Sequence, residues 1–435
     1  MNNSLVTSLN KIREISSDIY HRYIPELTAS SNIADLGTPI LNTPVVANEF
    51  MSQLVNRIVY TQFEVKYFRN PLQILEGDTI PLGYAGQEIY VNPAKGRKFN
   101  VDDFAGLLLK YEADVKVQYT SVNMDLQYPV TVSRHKLKQA FVSWDSLNSF
   151  IDELSNSLYN GAYIDEYEFT KQLISGAYKG NNAIIKVVNA VNSEAAAKEF
   201  ITGARKLFLD FQAPSTEFNS WSKLGGAGRP VTTWSLPEDI VFIVRNDIRS
   251  YIDVNVLASS FNIDKSELLG RIISVNNFDR YDDEGNKIFD GSKVIGMIAD
   301  KKWFRIKRQD MFLDEFYNAN NRTWNYYLNL TKMYNYSLFA NHTIFATEAP
   351  TITTTGVEFV ESSADVKVGE TVTLHVKTTP INGTTVMTYT SSAEAKATVA
   401  GEGRQVIVTG VAAGTSTITV SAGSVTGTIT VTVKA

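Results

Sequence analysis

Few residues of this chain have the type and spacing that chemistry needs. A zinc site requires His or Cys ligands at short spacings, but no histidine has a histidine four residues away and the chain has no cysteine. Disulfides and thiolate nucleophiles are excluded as well. We predict structural or surface roles, and no metal site, for the four histidines: His21, His135, His342 and His375.

Two loops have a superficial likeness to ligand sites. The glycine-rich run 224–230 lacks the Lys-Ser/Thr pair that contacts nucleotide phosphates and Mg²⁺ in a P-loop, which favours a flexible loop. The acidic run 279–286 lacks the calcium-loop register, with a glycine at the sixth position and a glutamate at the twelfth. A solvated hairpin tip is the better interpretation of this run.

One acidic cluster and one aromatic cluster are the remaining candidates for a catalytic or binding site. Asp165, Glu166 and Glu168 lie on a predicted helix, where consecutive side chains face apart, so a salt-bridging or interface role is favoured over paired acid–base catalysis. An aromatic cluster could stack bases or sugars, but little basic charge lies beside it, so we predict packing in the core or at a subunit interface. Its members are Trp324, Tyr326, Tyr327, Tyr334, Tyr336 and Phe339. The sequence therefore nominates no catalytic residue and no cofactor.

The composition sets wider limits on the class of protein. A chain of 435 residues with 44% hydrophobic and 20% charged residues suits two or three globular domains. The formal net charge of -5 argues against a dedicated DNA-binding protein, although not against one that encloses nucleic acid. No run of 18 apolar residues occurs and the first residues lack the layout of a secretory signal, so we predict no membrane span and synthesis in a cytoplasm.

The composition changes abruptly near Pro350. Residues 351–435 contain 21 threonines but only two aromatic residues. Within them, polar and apolar side chains alternate in runs separated by glycine-containing turns, which predicts strands with one buried face. These runs are 371–377, 415–420 and 428–433. We interpret residues 351–435 as a separate all-β module.

The first 350 residues mix helix and strand without the regular alternation of a parallel doubly wound sheet, so the fold class is α+β. After a short helix near 5–20, the prolines Pro25, Pro39 and Pro44 predict an extended arm that buries little surface on its own. Residues 74–132 contain strand-like runs separated by glycine turns. We interpret them as a long β-hairpin.

A helix and a series of strands follow. After Ser143, which can cap a helix, apolar residues recur at helical spacing between Leu147 and Leu158, and a second helical stretch runs to about Tyr178. One long or kinked helix is the simplest account. Further along we predict strands at 239–244, 271–275, 293–298 and 302–306, short helices at 254–261 and 265–269, and a strand pair between 325 and 345.

The C-terminal module resembles the bacterial immunoglobulin-like group 2 domain. The resemblance covers essentially the whole module, with Tyr389 where the family usually has a tryptophan. The segments that carry it are Val366-Lys367-Val368-Gly369-Glu370-Thr371, Tyr389-Thr390-Ser391-Ser392, Ala397-Thr398-Val399 and Val411-Ala412-Ala413-Gly414-Thr415-Ser416-Thr417-Ile418.

From about residue 50 onward, the chain resembles the major capsid proteins of small short-tailed phages of the phi-29 group, which have the Hong Kong 97-type capsid fold. The similar segments occur in the family's order, and a C-terminal group 2 immunoglobulin-like domain is a further shared feature. They include Asn70-Pro71-Leu72, Ile80-Pro81-Leu82-Gly83, Leu137-Lys138-Gln139-Ala140-Phe141-Val142-Ser143-Trp144, Ile164-Asp165-Glu166-Tyr167-Glu168-Phe169, Asp253-Val254-Asn255-Val256-Leu257-Ala258, Asp300-Lys301-Lys302-Trp303-Phe304 and Trp324-Asn325-Tyr326-Tyr327.

This resemblance implies a domain organisation. The implied parts are an N-terminal arm (1–59), an extended β-hairpin loop (60–135), a peripheral domain with a spine helix (136–234), an axial domain (235–300), a return to the peripheral domain with a linker (301–350) and the immunoglobulin-like module (351–435).

The resemblance also implies a structural protein, not an enzyme. Such a protein self-assembles into hexamers and pentamers and forms the icosahedral or prolate head shell around double-stranded DNA, without sequence-specific binding. The implied partners are further copies, a scaffolding protein, a portal or connector at one vertex and a head fibre, with no membrane. Assembly would take place in the host cytoplasm, and the product is the virion capsid. An arm and a hairpin with apolar faces fit this interpretation, because neighbouring copies would cover those faces.

Two other functions stay open at this point. A cell-surface or cell-wall-binding adhesin would carry a signal peptide and often tandem immunoglobulin-like modules, and the sequence has neither. An intracellular enzyme with a carbohydrate-binding appendage would show an acid–base or nucleophile constellation in the first 350 residues, and we find none. The capsid interpretation is preferred.

Overall fold

The computed structural model describes residues 2–28, 30–60, 68–81, 86–96, 110–224, 230–251, 272–282 and 284–435. The helices are α1 (Asn2–Glu14), α2 (Asp18–Tyr23), α3 (Ile33–Asn42), α4 (Pro44–Tyr60), α5 (Arg134–Ala140), α6 (Trp144–Ser155), α7 (Gly161–Lys179), α8 (Glu194–Asp210), α9 (Ser220–Lys223) and α10 (Asn246–Ser250). None of these described helices is long and apolar enough to cross a membrane.

The strands follow in chain order. They are β1 (Gly86–Val91), β2 (Val115–Thr120), β3 (Met124–Ser133), β4 (Ile185–Val187), β5 (Ile240–Arg245), β6 (Ile272–Val275), β7 (Arg280–Tyr281), β8 (Lys287–Phe289), β9 (Val294–Asp300), β10 (Phe304–Asn318), β11 (Thr323–Tyr336), β12 (His342–Ala346), β13 (Gly356–Phe359), β14 (Ala364–Lys367), β15 (Thr371–Thr379), β16 (Met387–Ser391), β17 (Ala397–Glu402), β18 (Gln405–Gly410), β19 (Gly414–Ala422) and β20 (Val425–Lys434). The helices predicted at 254–261 and 265–269, and most of the glycine-rich run 224–230, lie outside the described residues.

The N-terminal segment corrects one expectation, because it forms α1 to α4 rather than an extended arm. Pro44 opens α4, where its missing N–H interrupts no helical hydrogen bond. Apolar residues recur at helical spacing, and Leu5, Leu9 and Ile12 of α1 are all buried. The prediction that this segment buries little surface within the subunit is therefore wrong.

The described chain divides into two compact units. The first spans 1–86, 120–170 and 305–335, and its core gathers side chains from α1 to α6 and from a sheet of order β10-β11-β3. Strands β3 and β11 of that sheet are antiparallel. Gly37 of α3 is needed for close packing, since a Cβ at this position would lie only 2.5 Å from Phe141 Cβ.

The long helical segment is confirmed as two α-helices, α6 and α7, joined by one further helical turn. Ser143 Oγ accepts a hydrogen bond from Ser146 N at 3.1 Å and so caps α6, while Leu147 and Leu158 are fully buried as the spacing predicts. Between α6 and α7 the backbone forms a π-helical turn at Asn156–Asn160. Such turns are a recognised cause of bends in helices.

The second unit spans 87–119, 171–304 and 336–435. Its five-stranded sheet has the order β4-β12-β9-β5-β6, with β9 antiparallel to both of its neighbours. Helix α8 packs on this sheet through Phe200, whose ring centroid lies 4.9 Å from that of Phe345 and 5.9 Å from that of Phe242. Strands β5, β6 and β9 confirm the buried strands that the sequence predicts.

The C-terminal module is an all-β sandwich, as predicted. Its two four-stranded sheets have the orders β13-β15-β18-β17 and β14-β20-β19-β16. The apolar members of each alternating run meet in one core, for example Leu374, Val408 and Ile418. Together with the mixed helices and strands of the rest of the chain, this confirms the α+β class with a C-terminal β module.

Candidate assembly surfaces

Strands β1 and β2 form a two-stranded sheet whose inner face is polar. Asn92, directly after β1, accepts a hydrogen bond at Oδ1 from Thr232 N at 3.0 Å. Gln118 of β2 donates to Tyr336 O at 2.7 Å and accepts from Leu338 N at 2.8 Å. Directed polar contacts within the second unit therefore hold this sheet in place.

Apart from Gln87, the residues on the outer face of the same sheet are apolar, and several of them are exposed. Ile89 and Val91 of β1 are 58% and 53% exposed, and Val115 and Tyr119 of β2 are 47% and 74% exposed. A sheet with one solvated face normally turns its apolar residues toward the core and its polar residues toward water. An outward apolar face of this kind indicates contact with another molecule.

Residues 68–81, which precede β1 in the chain, are anchored in the first unit by a buried ion cluster. Lys332 of β11 is fully buried, and its Nζ lies 2.9 Å from Glu76 Oε1 and also pairs with Glu166 of α7. Arg308 adds a second cation, 3.6 Å from Glu76 Oε1. Burial raises the pKa of Glu166, and Lys332 opposes that shift. Two cations thus balance two carboxylates, so no net charge is buried.

The acidic residues singled out on the helix do not converge on one point. Asp165 accepts a hydrogen bond from Tyr128 OH at 2.9 Å, whereas Glu166 pairs with Lys332. The predicted salt-bridging role is confirmed for Glu166. The acidic run 279–286 includes the tip of the β7–β8 hairpin, as predicted.

The aromatic cluster is divided between the two units and serves packing. Trp324 and Tyr326 belong to the core of the first unit, and Tyr334 is buried there against Phe169, with ring centroids 5.6 Å apart. In the second unit, the Phe339 ring lies 5.3 Å from that of Trp221. Core packing is thus confirmed for these members.

A histidine–serine pair in the second unit has a structural role. His342 is completely buried, with Nε2 3.1 Å from Ser220 Oγ and 3.1 Å from the backbone N of Ile184, while Nδ1 lies 2.9 Å from Ala340 O. Burial lowers the pKa of His342 to about 4, so the ring is neutral and links backbone segments. Across the described ranges, no three His, Asp or Glu side chains form a group that could hold a metal ion.

Comparison with known proteins identifies the family of the chain. Residues 9–346 match the family described as Phi29-like phage major capsid protein, and residues 353–433 match the bacterial Ig-like domain, group 2. The chain belongs to the Phi29-like phage major capsid protein family. Its function is that of a major capsid protein, the structural protein of the phage head shell.

Relatives support this assignment, and a solved structure shows the same fold. The major capsid protein of Bacillus phage B103 is 29% identical over 366 residues, which cover 83% of this chain and 77% of the relative. The major capsid protein of Streptococcus phage Cp-1 is 29% identical over 352 residues, 78% of this chain and 93% of the relative. A chain in the capsid structure of Staphylococcus phage Andhra has a TM-score of 0.53 at 14% identity and covers 65% of this chain and 85% of that chain. The structural likeness shows the fold, and the sequence match shows the family.

In this capsid protein, hydrogen bonds fix the immunoglobulin-like module to the rest of the second unit. Asn181, after α7, donates from Nδ2 to Asn382 O of the module at 3.1 Å, and Asn382 donates in return to Gly180 O. Arg404 of the module donates from Nη1 to Leu224 O at 3.3 Å. The module therefore has a defined orientation relative to these residues.

Sequence reasoning predicted a salt-bridging role for Glu166 of the capsid protein, but it missed the buried cluster with Lys332 and Glu76. A signal for it exists, because Lys332 occupies the position in β11 that continues the buried series of Tyr326, Leu328 and Leu330. A lysine in phase with buried apolar residues requires a buried partner. The sequence does not reveal that Glu76 and Glu166 supply this partner.

Proposed function

We propose that copies of this chain assemble into hexamers and pentamers that close into an icosahedral or prolate shell, with the outer face of the β1–β2 sheet as one of the subunit contacts. The observation that carries the proposal is the inverted polarity of this sheet. Its polar residues bond inward to the second unit, while Ile89, Val91, Val115 and Tyr119 are exposed. A neighbouring copy is the natural cover, because a capsid protein is surrounded by copies of itself.

The energetics favour a shell held by many ordinary contacts. Burying one exposed Ile or Val side chain contributes roughly 1.5–3 kcal/mol, and a typical interface buries about 1,600 Å². Each subunit contacts several neighbours at once, so a high effective concentration suppresses dissociation. The shell then depends on no covalent crosslinks. Intact shells should resolve into single chains on denaturing gels, and a ladder of oligomers would contradict this.

The shell encloses double-stranded DNA without sequence-specific recognition. The net charge of -5 supports weak binding, since tight binding to phosphates requires an excess of Lys and Arg. A scaffolding protein, a portal or connector at one vertex and a head fibre complete the set of partners, and assembly takes place in the host cytoplasm. The protein acts without catalysis and without a cofactor.

The domain boundaries form part of the same proposal. Residues 60–135 form the extended loop, 136–234 the peripheral domain, 235–300 the axial domain and 301–350 the return and linker, followed by the module at 351–435. Residues 1–59 keep their place as the N-terminal segment, but in helical form. The ion pair between Lys332 and Glu76 supports a fixed position for the start of the loop, because it anchors residues 68–81 to the first unit.

Electron microscopy of the purified or co-expressed full chain tests the proposal. Hollow shells, hexameric sheets or rings of capsomers are the expected products. A chain that stays monomeric at high concentration and binds glycans instead would contradict it and would favour an adhesin. The family match over 9–346 does not favour that alternative.

A further inference from the structure

A groove in the second unit has the features of a docking site for an extended, acidic segment. It lies between α8 and β4 and has a volume of about 750 Å³. Strand β4 stands at the end of its sheet and pairs with β12, so its other edge has no strand partner among the described residues. An unpaired edge offers backbone N–H and C=O groups to a further strand.

Positive charge is in excess along this groove. Lys186 of β4 and Lys198 of α8 line it, and within the described parts of the chain neither ammonium group has a carboxylate partner. Lys206 also lines the groove but is paired with Asp210 at 3.1 Å, and Glu199 contributes one negative charge. The two unpaired lysines select a ligand that carries carboxylates.

The first unit has a free strand edge with acidic residues, in contrast to the lysines beside β4. Strand β10 stands at the end of the order β10-β11-β3, and no described segment pairs with its free edge beyond Gln309. Alternation along β10 turns Met311 and Leu313 toward the core and places the intervening residues on the other face. We call this the acidic–aromatic face: Asp310, Phe312, Asp314 and Phe316.

The acidic–aromatic face is accessible to a partner. Phe312 is 40% exposed and Phe316 is 58% exposed, although both are large apolar side chains. Asp314 is also exposed and accepts one hydrogen bond, from Asn329 Nδ2 at 2.9 Å. The face therefore offers apolar area together with carboxylates, which complements a groove lined by Val187 and lysines.

We propose that the free edge of β10 in one copy docks against the free edge of β4 in a second copy, with Asp310 and Asp314 facing Lys186 and Lys198. This inference rests on the proposed assembly of copies. Strand addition supplies backbone hydrogen bonds, and the charges set the register and the choice of partner. The two surfaces differ, so the contact is heterologous, which is the kind of contact that builds rings.

A charge exchange in the full chain tests the pairing. The basic side is reversed in a Lys186→Glu/Lys198→Glu variant, the acidic side in an Asp310→Lys/Asp314→Lys variant, and both sides in a combined variant that keeps the wild-type net charge of -5. Lys377→Glu/Lys434→Glu in the module is the control for a change of net charge, because both lysines are exposed and their ion pairs with Glu358 and Asp365 are surface pairs, each worth about 1 kcal/mol or less. The yield of assembled particles is measured by sedimentation and electron microscopy, with thermal unfolding of the free chain as a check of folding.

The expected result is at least a tenfold loss of particles in each one-sided variant, recovery to at least half of the wild-type yield in the combined variant, and little change in the control. A one-sided variant that assembles like the wild type would overturn the pairing. So would two defective one-sided variants without recovery in the combined one, which would instead favour a groove that binds phosphates or another protein. If the wild type itself forms no particles, the proposed assembly fails, and that outcome is distinct from either of these.

Discussion

The β1–β2 sheet and the immunoglobulin-like module are both built from alternating strands, but they bury opposite faces. In β15 of the module, Leu374 and Val376 point into the core, whereas Thr371 and Thr373 point outward. In the β1–β2 sheet, the polar Gln118 points inward, whereas Ile89 and Tyr119 point outward. The module completes its own core, and the two-stranded sheet does not. The direction of the alternation thus separates an element that completes its own core from one whose apolar side chains stay exposed in the single chain.

The largest expected effect comes from placing charges on the outer face of β1–β2. Ile89→Lys together with Tyr119→Lys should abolish assembly, because two ammonium groups would lose their hydration in the contact. The free chain should stay folded, since both side chains are already exposed. Electron microscopy and sedimentation measure assembly, and circular dichroism measures folding.

The matched control for this pair is on the module. Thr373→Lys with Thr428→Lys adds the same charge at exposed positions outside the proposed contact. We expect shells from this control at near wild-type yield. Shells in normal number from the Ile89/Tyr119 variant would show that the apolar face is not a subunit contact.

A second large effect should follow from breaking the ion cluster that anchors residues 68–81. Lys332→Met leaves Glu76 and Glu166 buried without their shared cation, and such losses cost about 3–5 kcal/mol of unfolding free energy. Because burial raises the pKa of Glu166, the folded state of the variant gains protons more readily than the unfolded state. Its stability should therefore recover partly as the pH falls toward the ordinary glutamate value of 4.5.

Urea denaturation of the unassembled chain at several pH values measures this effect. The control is Lys136→Met, which removes an exposed pair with Glu153 and should cost no more than about 1 kcal/mol. An equal loss in the two variants would mean that the buried cluster is no stronger than a surface ion pair.

The stability of the module should depend on the apolar volume of its core rather than on buried charges. Ile418→Ala at a fully buried position should cost about 2–5 kcal/mol, whereas Thr428→Ala on the outer face should change stability by less than about 0.5 kcal/mol. Hydrogen exchange in the full chain, read within residues 356–434, localises the effect. If both substitutions lower the stability of the module equally, the outer face of the module also takes part in a contact. The module would then resemble the β1–β2 sheet more than we infer.

The contrast between elements that complete a core and elements that do not also explains which parts of the fold the sequence could predict. The strands of the module and the spine helix from Leu147 to Leu158 follow from local periodicity, since their apolar residues all face one core. The sequence predicts a helix near residues 5–20, but it does not predict α3 and α4, because prolines usually break helices. Pro44 nevertheless occupies the first helical position of α4, where proline is tolerated. The helical spacing of the apolar residues in this segment was the better guide to its structure, since these residues are the buried ones.

The proposed contact face of the β1–β2 sheet could not be predicted from local sequence either. The alternation in β1 and β2 defines two faces but not which one turns inward. That choice is made by Thr232, Tyr336 and Leu338, whose backbone groups bond to Asn92 and Gln118 across more than a hundred residues of sequence. Contacts over such sequence distances are tertiary, and no window of the sequence displays them.

The smallest effect concerns the junction between the module and the rest of the second unit, where Lys223 donates to Ala183 O at 2.6 Å and to Asn181 Oδ1 at 2.7 Å. Burial, with a further contribution from the nearby Arg404 cation, lowers the pKa of Lys223 from 10.5 to about 8. Between those two values the unfolded chain binds more protons than the folded chain. This lysine should therefore make the free energy of unfolding rise with pH, by at most about 1.4 kcal/mol per pH unit.

The slope is best measured as a difference between variants, because buried tyrosines also titrate at high pH. Urea denaturation from pH 8 to 10 should show a shallower rise, or a steeper fall, in Lys223→Met than in the wild type. Lys206→Met, at an exposed lysine paired with Asp210 on α8, should keep the wild-type slope. Identical slopes in all three chains would mean that Lys223 keeps an ordinary pKa. In that case the Lys223 ammonium group would keep its hydration, and the polar junction would hold the module without burying a charge. The apolar contact proposed for β1–β2 buries no charge in any case.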